Sequence, residues 1–245
     1  MKFLLLTNND NDGIGQHAAR LNDEFISLGH QSKTLVLHKT TKNKNIIKIQ
    51  RSILKRIFYF PLNFLKKQSD KLFSFGFAGI GFNVIKSYIH KADIIIIYSF
   101  FNALSIDDIE KLLNTKKIIY FRALDMELAS GGCHVNFDYL GNECKKYEAN
   151  CSTCPQLNFL NIFNLSKKII FKKKKILEKY KPRVLVENTF TKNLYQKSFS
   201  CKNLNVQSIF LGINEKRSMF IKKHEARNKL KFNLADKIIL FGTFN

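Results

Sequence analysis

Hydrophobic and polar positions along this chain switch repeatedly between two periods. Short apolar runs that suit strands alternate with longer stretches whose apolar residues recur at helical spacing. The first run, Lys2-Phe-Leu-Leu-Leu-Thr7, predicts a strand. A polar turn from Asn8 to Gly15 leads into a helical pattern over Gln16–Leu28, with Gly29 as its C-cap. Ser32–His38 predicts the next strand, which completes a βαβ unit. Further strands are predicted at Asp93–Tyr98, Lys117–Phe121, Arg183–Glu187, Val206–Leu211 and Lys237–Phe241. A helix runs to Leu113 from the capping signal Ser105-Ile-Asp-Asp108, and another covers Asn188–Ser198. No internal repeat is present. This alternation predicts an α/β protein with a mostly parallel sheet.

One helical pattern carries charge as well. Ile46, Ile49, Ile53, Ile57 and Phe60 fall on one side of a helix, while Lys44, Lys48, Arg51 and Lys55 fall on the other. They belong to a segment, Lys39 to Lys91, with 12 Lys and Arg against the single acid Asp70. Such a helix either packs on a core with a solvated basic face or lies in an anionic membrane surface. A second basic run, Lys167–Lys181, holds eight Lys and one acid, Glu178, and predicts an exposed helix or linker.

Composition sharpens this picture. In 245 residues there are 41 Lys and Arg against 19 Asp and Glu, a formal charge of +22, while 45% hydrophobic residues suffice for a core. Nucleic acid is the obvious partner for so basic a chain. However, no C2H2 pattern, RNP-type strand or recognition-helix unit occurs, so a nucleic-acid partner is not expected. The N-terminal apolar run is too short for a secretory signal, and no run approaches the ~20 apolar residues of a membrane span. A cytoplasmic location with reduced thiols is the expectation.

Four of the five cysteines fall within one short window. Cys133, Cys144, Cys151 and Cys154 are spaced C-x10-C-x6-C-x2-C, with His134 beside the first. Thiolates at C-x2-C spacing can chelate one cation from a tight turn, and a second pair or a His can complete a zinc shell. Reduced thiols without metal and two disulfides are the alternatives. Two other places carry candidate chemistry. Gly13 and Gly15, followed by Gln16, open the first helix, where backbone amides can hold a phosphate or a sugar hydroxyl; the alternative is a turn that needs permissive dihedrals. Asp125, with Glu127 two residues on, follows a strand end, where a carboxylate can take a hydroxyl proton or cap the loop.

These residues also carry a resemblance. Ser130-Gly-Gly-Cys-His134, followed by Cys144 and by Cys151-x-x-Cys154-Pro-Gln-Leu157, resembles a signature of bacterial family-4 glycosyltransferases that build cell-surface polysaccharides. Gly13-Ile-Gly15-Gln16, Ala92-Asp93-Ile94-Ile95, Phe121-Arg-Ala-Leu-Asp125-Met126-Glu127 and Gly212-Ile213-Asn214 are similar to supporting stretches of the family. The position matching the family's usual His before Asp125 is Leu124. The resemblance implies the GT-B arrangement of two doubly wound, Rossmann-like domains, with acceptor at the N-terminal one and nucleotide-sugar at the other. Residues 1–234 are then the acceptor-side domain and 235–245 the first strand of a truncated donor-side domain, inactive alone and completed by a separately encoded chain. The implied activity is sugar transfer from a nucleotide-sugar donor to a lipid-linked or glycan acceptor, at the cytoplasmic face of an anionic membrane, with Asp125 and Glu127 as catalytic residues. The rival expectation is a non-enzymatic, metal-stapled basic module that binds an anionic surface or nucleic acid.

Overall fold

The computed structural model describes residues 1–50, 73–74, 76, 79–100, 103–138, 140–157, 163–212 and 221–239. It divides into two compact units, Met1–Leu211 and Gly212–Asn245.

The first unit is built on a seven-stranded sheet in the order β3-β2-β1-β4-β5-β6-β7. Its strands are β1 (Lys2–Asn9), β2 (Gln31–His38), β3 (Ile46–Lys48), β4 (Ile94–Ile97), β5 (Ile118–Ala123), β6 (Arg183–Val186) and β7 (Val206–Ser208). Every neighbouring pair is parallel. A parallel pair cannot be closed by a tight turn, so helices join the strands and cover the faces. In the first unit these are α1 (Gly13–Ser27), α2 (Phe82–Lys91), α3 (Ile106–Leu113), α4 (Leu165–Tyr180) and α5 (Thr189–Lys197). The chain winds outward from β1 in one direction and, from β4 onward, in the other. The sheet is therefore doubly wound and Rossmann-like.

Period-two alternation along the strands feeds two cores. Leu4 and Leu6 of β1, with Ile95 and Ile97 of β4, face a large cluster that includes Ile85 and Ile89 of α2, Ile109 and Leu112 of α3, and Ile170 and Leu177 of α4. Leu5 and Ile96 point to the opposite face, where Ala18 of α1 meets Tyr98. Phe3 and Phe25 stack there with ring centroids 3.9 Å apart. Ser105 and Asp108 form the reciprocal capping box at the start of α3.

Three expectations from the sequence require correction, and the helices Phe82–Lys91 and Lys223–Leu230 were not foreseen. Ile46–Lys48 is not the first turn of a helix. It pairs as β3 with Thr34–Val36, because consecutive β-branched residues suit an edge strand as readily as a helical stripe. The remainder of that pattern, Ile53 to Phe60 with Arg51 and Lys55, lies outside the described residues. The basic run from Lys167 is helix α4, one of the two forms expected of it, but the expected exposure fails at Lys173, which is buried. Lys237–Ile239 forms no strand; Leu240 and Phe241 lie outside the described residues. Helix α2 was missed because Phe82–Lys91 follows a Phe-rich stretch with no polar cap, and its N-cap is Gly81. Among the described residues no helix is long and apolar enough to cross a membrane.

The second unit contains α6 (Lys223–Leu230). Arg227 donates from its guanidinium to the carbonyls of Asn233, Leu234 and Asp236, which folds the following segment back on the helix.

The two glycines at the start of α1 differ sharply. A Cβ on Gly15 would lie 2.3 Å from the Asn9 carbonyl oxygen, whereas one on Gly13 meets nothing within 4 Å. Gly15→Ala is expected to destabilise the protein by about 1–3 kcal/mol, as overpacking against fixed backbone does. Gly13→Ala should stay within about 0.5 kcal/mol of the parent. Urea denaturation of the two variants checks this; equal effects would contradict it.

Candidate functional site

In a parallel sheet all strands end at one edge, and loops that follow strand ends carry the chemistry of doubly wound folds. Sites form where the winding reverses, here between β1 and β4.

The turn after β1 is held by its own side chains. The Asn9 side-chain oxygen accepts from the amides of Asn11 (3.2 Å) and Asp12 (3.0 Å), and Asp12 in turn accepts from the Gly15 amide at 2.6 Å as N-cap of α1. The Gly15 N–H is thus already used, and the Gln16 side chain donates to the Asn11 carbonyl at 3.0 Å. Asp10 is buried and accepts four hydrogen bonds from the amides and hydroxyls of Thr40 and Thr41, at 2.6–3.0 Å. Burial pushes its carboxyl up, but these bonds outweigh that and hold it at about 2. The loops after β1 and β2 are tied together in this way.

At the reversal itself, His17 Nδ1 of α1 lies 3.0 Å from the Tyr98 hydroxyl, just past β4. Burial, with the charges of Arg122 and Arg20, lowers His17 to about 4, so the ring is neutral near pH 7. Arg122, buried at the end of β5, donates to the carbonyls of Val186 (3.1 Å) and Ile209 (2.5 Å) and fastens the ends of β6 and β7.

The densest polar cluster follows β5. Asp125 Oδ1 accepts from the Glu127 amide at 2.8 Å, and Asp125 Oδ2 lies 2.6 Å from His134 Nδ1. The other ring nitrogen, His134 Nε2, lies 2.9 Å from Ser74 Oγ. Ser74 also donates to Glu127 at 3.4 Å, and the Glu127 carboxyl accepts from Ser99 Oγ (3.4 Å) and the Phe100 amide (3.3 Å). Below them the ammonium of buried Lys173 reaches the carbonyls of Glu127 and Ser130 (the latter at 3.0 Å). Tyr195 of α5 donates to the Asp125 carbonyl at 2.8 Å. Leu124 turns to the other face and packs against the cluster of Leu5, Ala18, Ile96 and Tyr98, so the aliphatic side chain meets an apolar layer.

Electrostatics separates the members of this cluster. Burial pushes Glu127 up to about 7; the Asp125 charge adds to this, while His134 and Lys173 oppose it. Burial disfavours protonation of His134, but the Asp125 hydrogen bond and the Glu127 and Asp125 charges outweigh it and raise the imidazole. Asp125, Glu127 and His134 are also the group that brings three metal-capable atoms within 4.8 Å of one another among the described residues. Their short contacts with one another are those of a hydrogen-bonded chain, which can accept a proton at the partly exposed Asp125–His134 end.

The cysteine segment folds beside this cluster. Phe73 and Cys133 form an antiparallel bridge, and the Ser74 amide donates to the Gly132 carbonyl at 2.7 Å. Cys133 and Cys154 bring their sulfurs to 3.6 Å, the Gly131 amide donates to Cys151 Sγ at 3.2 Å, and no disulfide forms. Cys133, Cys144, Cys151 and Cys154 line one cavity of about 20 Å³, room for a single small occupant. Cys201 is buried elsewhere and donates to the Leu128 carbonyl.

No family model matches this sequence, and no curated protein matches it. Solved structures similar in layout include the following three. One is TcCGT1 in complex with UDP (10% identity, 94% of this chain and 55% of that one, TM-score 0.48). Another is a UGT transferase from Siraitia grosvenorii in complex with UDP (9% identity, 94% and 52%, TM-score 0.42). The third is an alpha-glucosyltransferase in complex with UDP-glucose and DNA containing an abasic site (11% identity, 87% and 43%, TM-score 0.35). The chain spans about half the length of each.

The raised Glu127 has a consequence for stability. An acid whose folded pKa is raised contributes stability that is complete below its unfolded value, about 4.5, and is lost as pH rises through about 7. Lowered His17 contributes with the opposite sign, losing stability as pH falls from about 6.5 toward about 4. The difference between Glu127→Gln and parent therefore isolates Glu127. The variant's melting temperature relative to parent is expected to climb between pH 4.5 and 7. A difference that stays flat across that window would contradict the assignment.

Proposed function

We propose that this chain is the acceptor-side part of a glycosyltransferase that moves a sugar from a nucleotide-sugar to a lipid-linked or glycan acceptor in surface-polysaccharide synthesis. The observation that carries the reading is the Asp125–His134 pair at the C-terminal edge of a doubly wound sheet, on residues that also bear the Gly-Gly-Cys-His resemblance. In the transfer, the acceptor hydroxyl oxygen bonds to the anomeric carbon as the bond from that carbon to the diphosphate oxygen breaks. The nucleoside diphosphate leaves with the electron pair, and the hydroxyl proton passes to the pair. Asp125 is the catalytic base, oriented through both oxygens by the Glu127 amide and His134. Glu127, buried and poised near neutrality, is the proton reservoir behind it, linked through Ser74.

The loop from Asn9 to Gln16 forms the wall on the β1 side, with Gly15 letting the helix sit close and Gly13 exposed for a ligand's approach. Donor-binding groups belong to a second domain, whether on the same polypeptide or on another. Exposed Lys167, Lys168 and Lys175 on α4 supply a cationic flank suited to an anionic membrane face.

The test is turnover by the full-length protein that contains this chain, with its donor domain supplied, on a panel of nucleotide-sugars and lipid-linked acceptors. Asp125→Asn is expected to lower turnover about 10²–10⁴-fold, the usual span for a general base, with little change in donor affinity. A variant that retains turnover within a few-fold of the parent would remove Asp125 from the mechanism.

A further inference from the structure

The cysteine segment is more elaborate than the proposed transfer needs. We propose that Cys133, Cys144, Cys151 and Cys154 together hold one zinc ion, and that this centre presents His134 to Asp125. The first half stands apart from the sugar-transfer reading; the second rests on it.

Geometry supports a shared ion over a cross-link. Zinc–thiolate bonds of about 2.3 Å in a tetrahedron put neighbouring sulfurs about 3.8 Å apart. The Cys133 and Cys154 sulfurs lie at 3.6 Å, close to that edge and far from the roughly 2.05 Å of a disulfide. Cys144 and Cys151 line the same small cavity; no three of the four sulfurs lie within 4.8 Å of one another, so binding the ion requires Cys144 and Cys151 to turn inward. The backbone is already arranged for sulfur acceptors. The Gly131 amide points at Cys151 Sγ, the outer contact that stabilises a thiolate ligand. Cys151 and Thr153 both adopt left-handed backbone conformations, with φ of 53° and 49°, which turns the Cys-x-x-Cys link back on itself. Non-glycine residues hold that conformation at a cost and keep it where the surroundings require it.

The link from this centre to the site is short and rigid. His134 follows Cys133 directly. On one side the Ser130 hydroxyl donates to the Cys133 carbonyl at 2.6 Å, and on the other the Met126 amide donates to the His134 carbonyl at 2.9 Å. The preceding glycines leave no slack. A Cβ on Gly131 would lie 2.4 Å from the Ser166 carbonyl oxygen, and one on Gly132 would lie 2.4 Å from that of Ser74. An ion that fixes Cys133 therefore fixes where the imidazole stands, and the cysteines act as positioning residues.

The test uses the whole protein purified under reducing conditions. Elemental analysis should find one zinc per chain, and cobalt substitution should give the intense ligand-field bands of a tetrahedral tetrathiolate. Cys144→Ser, at a partly exposed position, should lose zinc retention, while Cys201→Ser should keep it. For the second half, imidazole NMR should show a far-downfield Nδ1 proton on His134 that disappears when a chelator strips the metal, while amide signals of the sheet persist. Protein that stays metal-free after reduction and exposure to zinc, or a Cys133–Cys154 disulfide trapped by alkylation in reducing lysate, overturns the site. A His134 signal that survives stripping overturns the positioning role and leaves the metal standing. If Cys144→Ser does not fold, the stoichiometry and cobalt spectrum of the parent decide. None of these readouts depends on turnover, so failure of the Asp125 assay and failure of this centre are separable.

Discussion

A buried ammonium organises the loop on which the site depends. Lys173 is buried on α4, and removing its charge from water would be prohibitive without compensation. Compensation comes from the carbonyls of Glu127 and Ser130, with the ring of Phe100 alongside at 5.5 Å. Because both carbonyls belong to the turn after β5, that turn can take few other shapes while the lysine remains charged and buried. Asp125 at one end and Gly131 at the other inherit their positions from it. Burial pulls the lysine below its ordinary range, and the nearby Glu127 resists that pull, so the two groups keep each other in place.

The second constraint is directional. All strands in the sheet run the same way, so polar side chains just past β1, β4 and β5 arrive at one edge without any long-range design. Tyr98, Asp125 and the Asn9 turn come together for that reason. The groups there then divide by sheet face. His17 and Leu124 lie with the α1 layer, while His134, Glu127 and Ser74 lie with the layer that contains Lys173. One edge therefore offers a neutral imidazole on one side and a hydrogen-bonded acid–imidazole chain on the other.

Much of the fold was legible in the sequence. β1, α1 and β2 were readable because apolar runs, Gly13 with Gly15 and the Gly29 cap agreed with one another, and α3 because its capping box is local. Ile46–Lys48 was misread because isoleucines satisfy both periods, and only the partner β2 decides between them. The site was legible as individual residues rather than as an arrangement. Asp125, Glu127 and the cysteines drew notice through residue type and spacing. The Asp125–His134 contact required the chain to double back through Gly131 and Gly132, and nothing local announces that. Ser74 lies 60 residues from its imidazole partner, and Lys173 looked like one more lysine in a solvated run. Burial that depends on tertiary packing leaves no local trace.

The register of β1 has a consequence in time. Its residues Phe3–Leu6 pair on one side with β2 and on the other with Ile94–Ile97, so one flank of the central strand waits for a partner some 90 residues later in the chain. At roughly 5–20 residues per second, a ribosome needs on the order of 5–20 s to deliver that partner. For that interval Leu4, Leu5 and Leu6 present an open, apolar backbone edge of the kind that recruits stray strands. During synthesis the nascent chain is thus open to mispairing along a strand that the finished sheet buries.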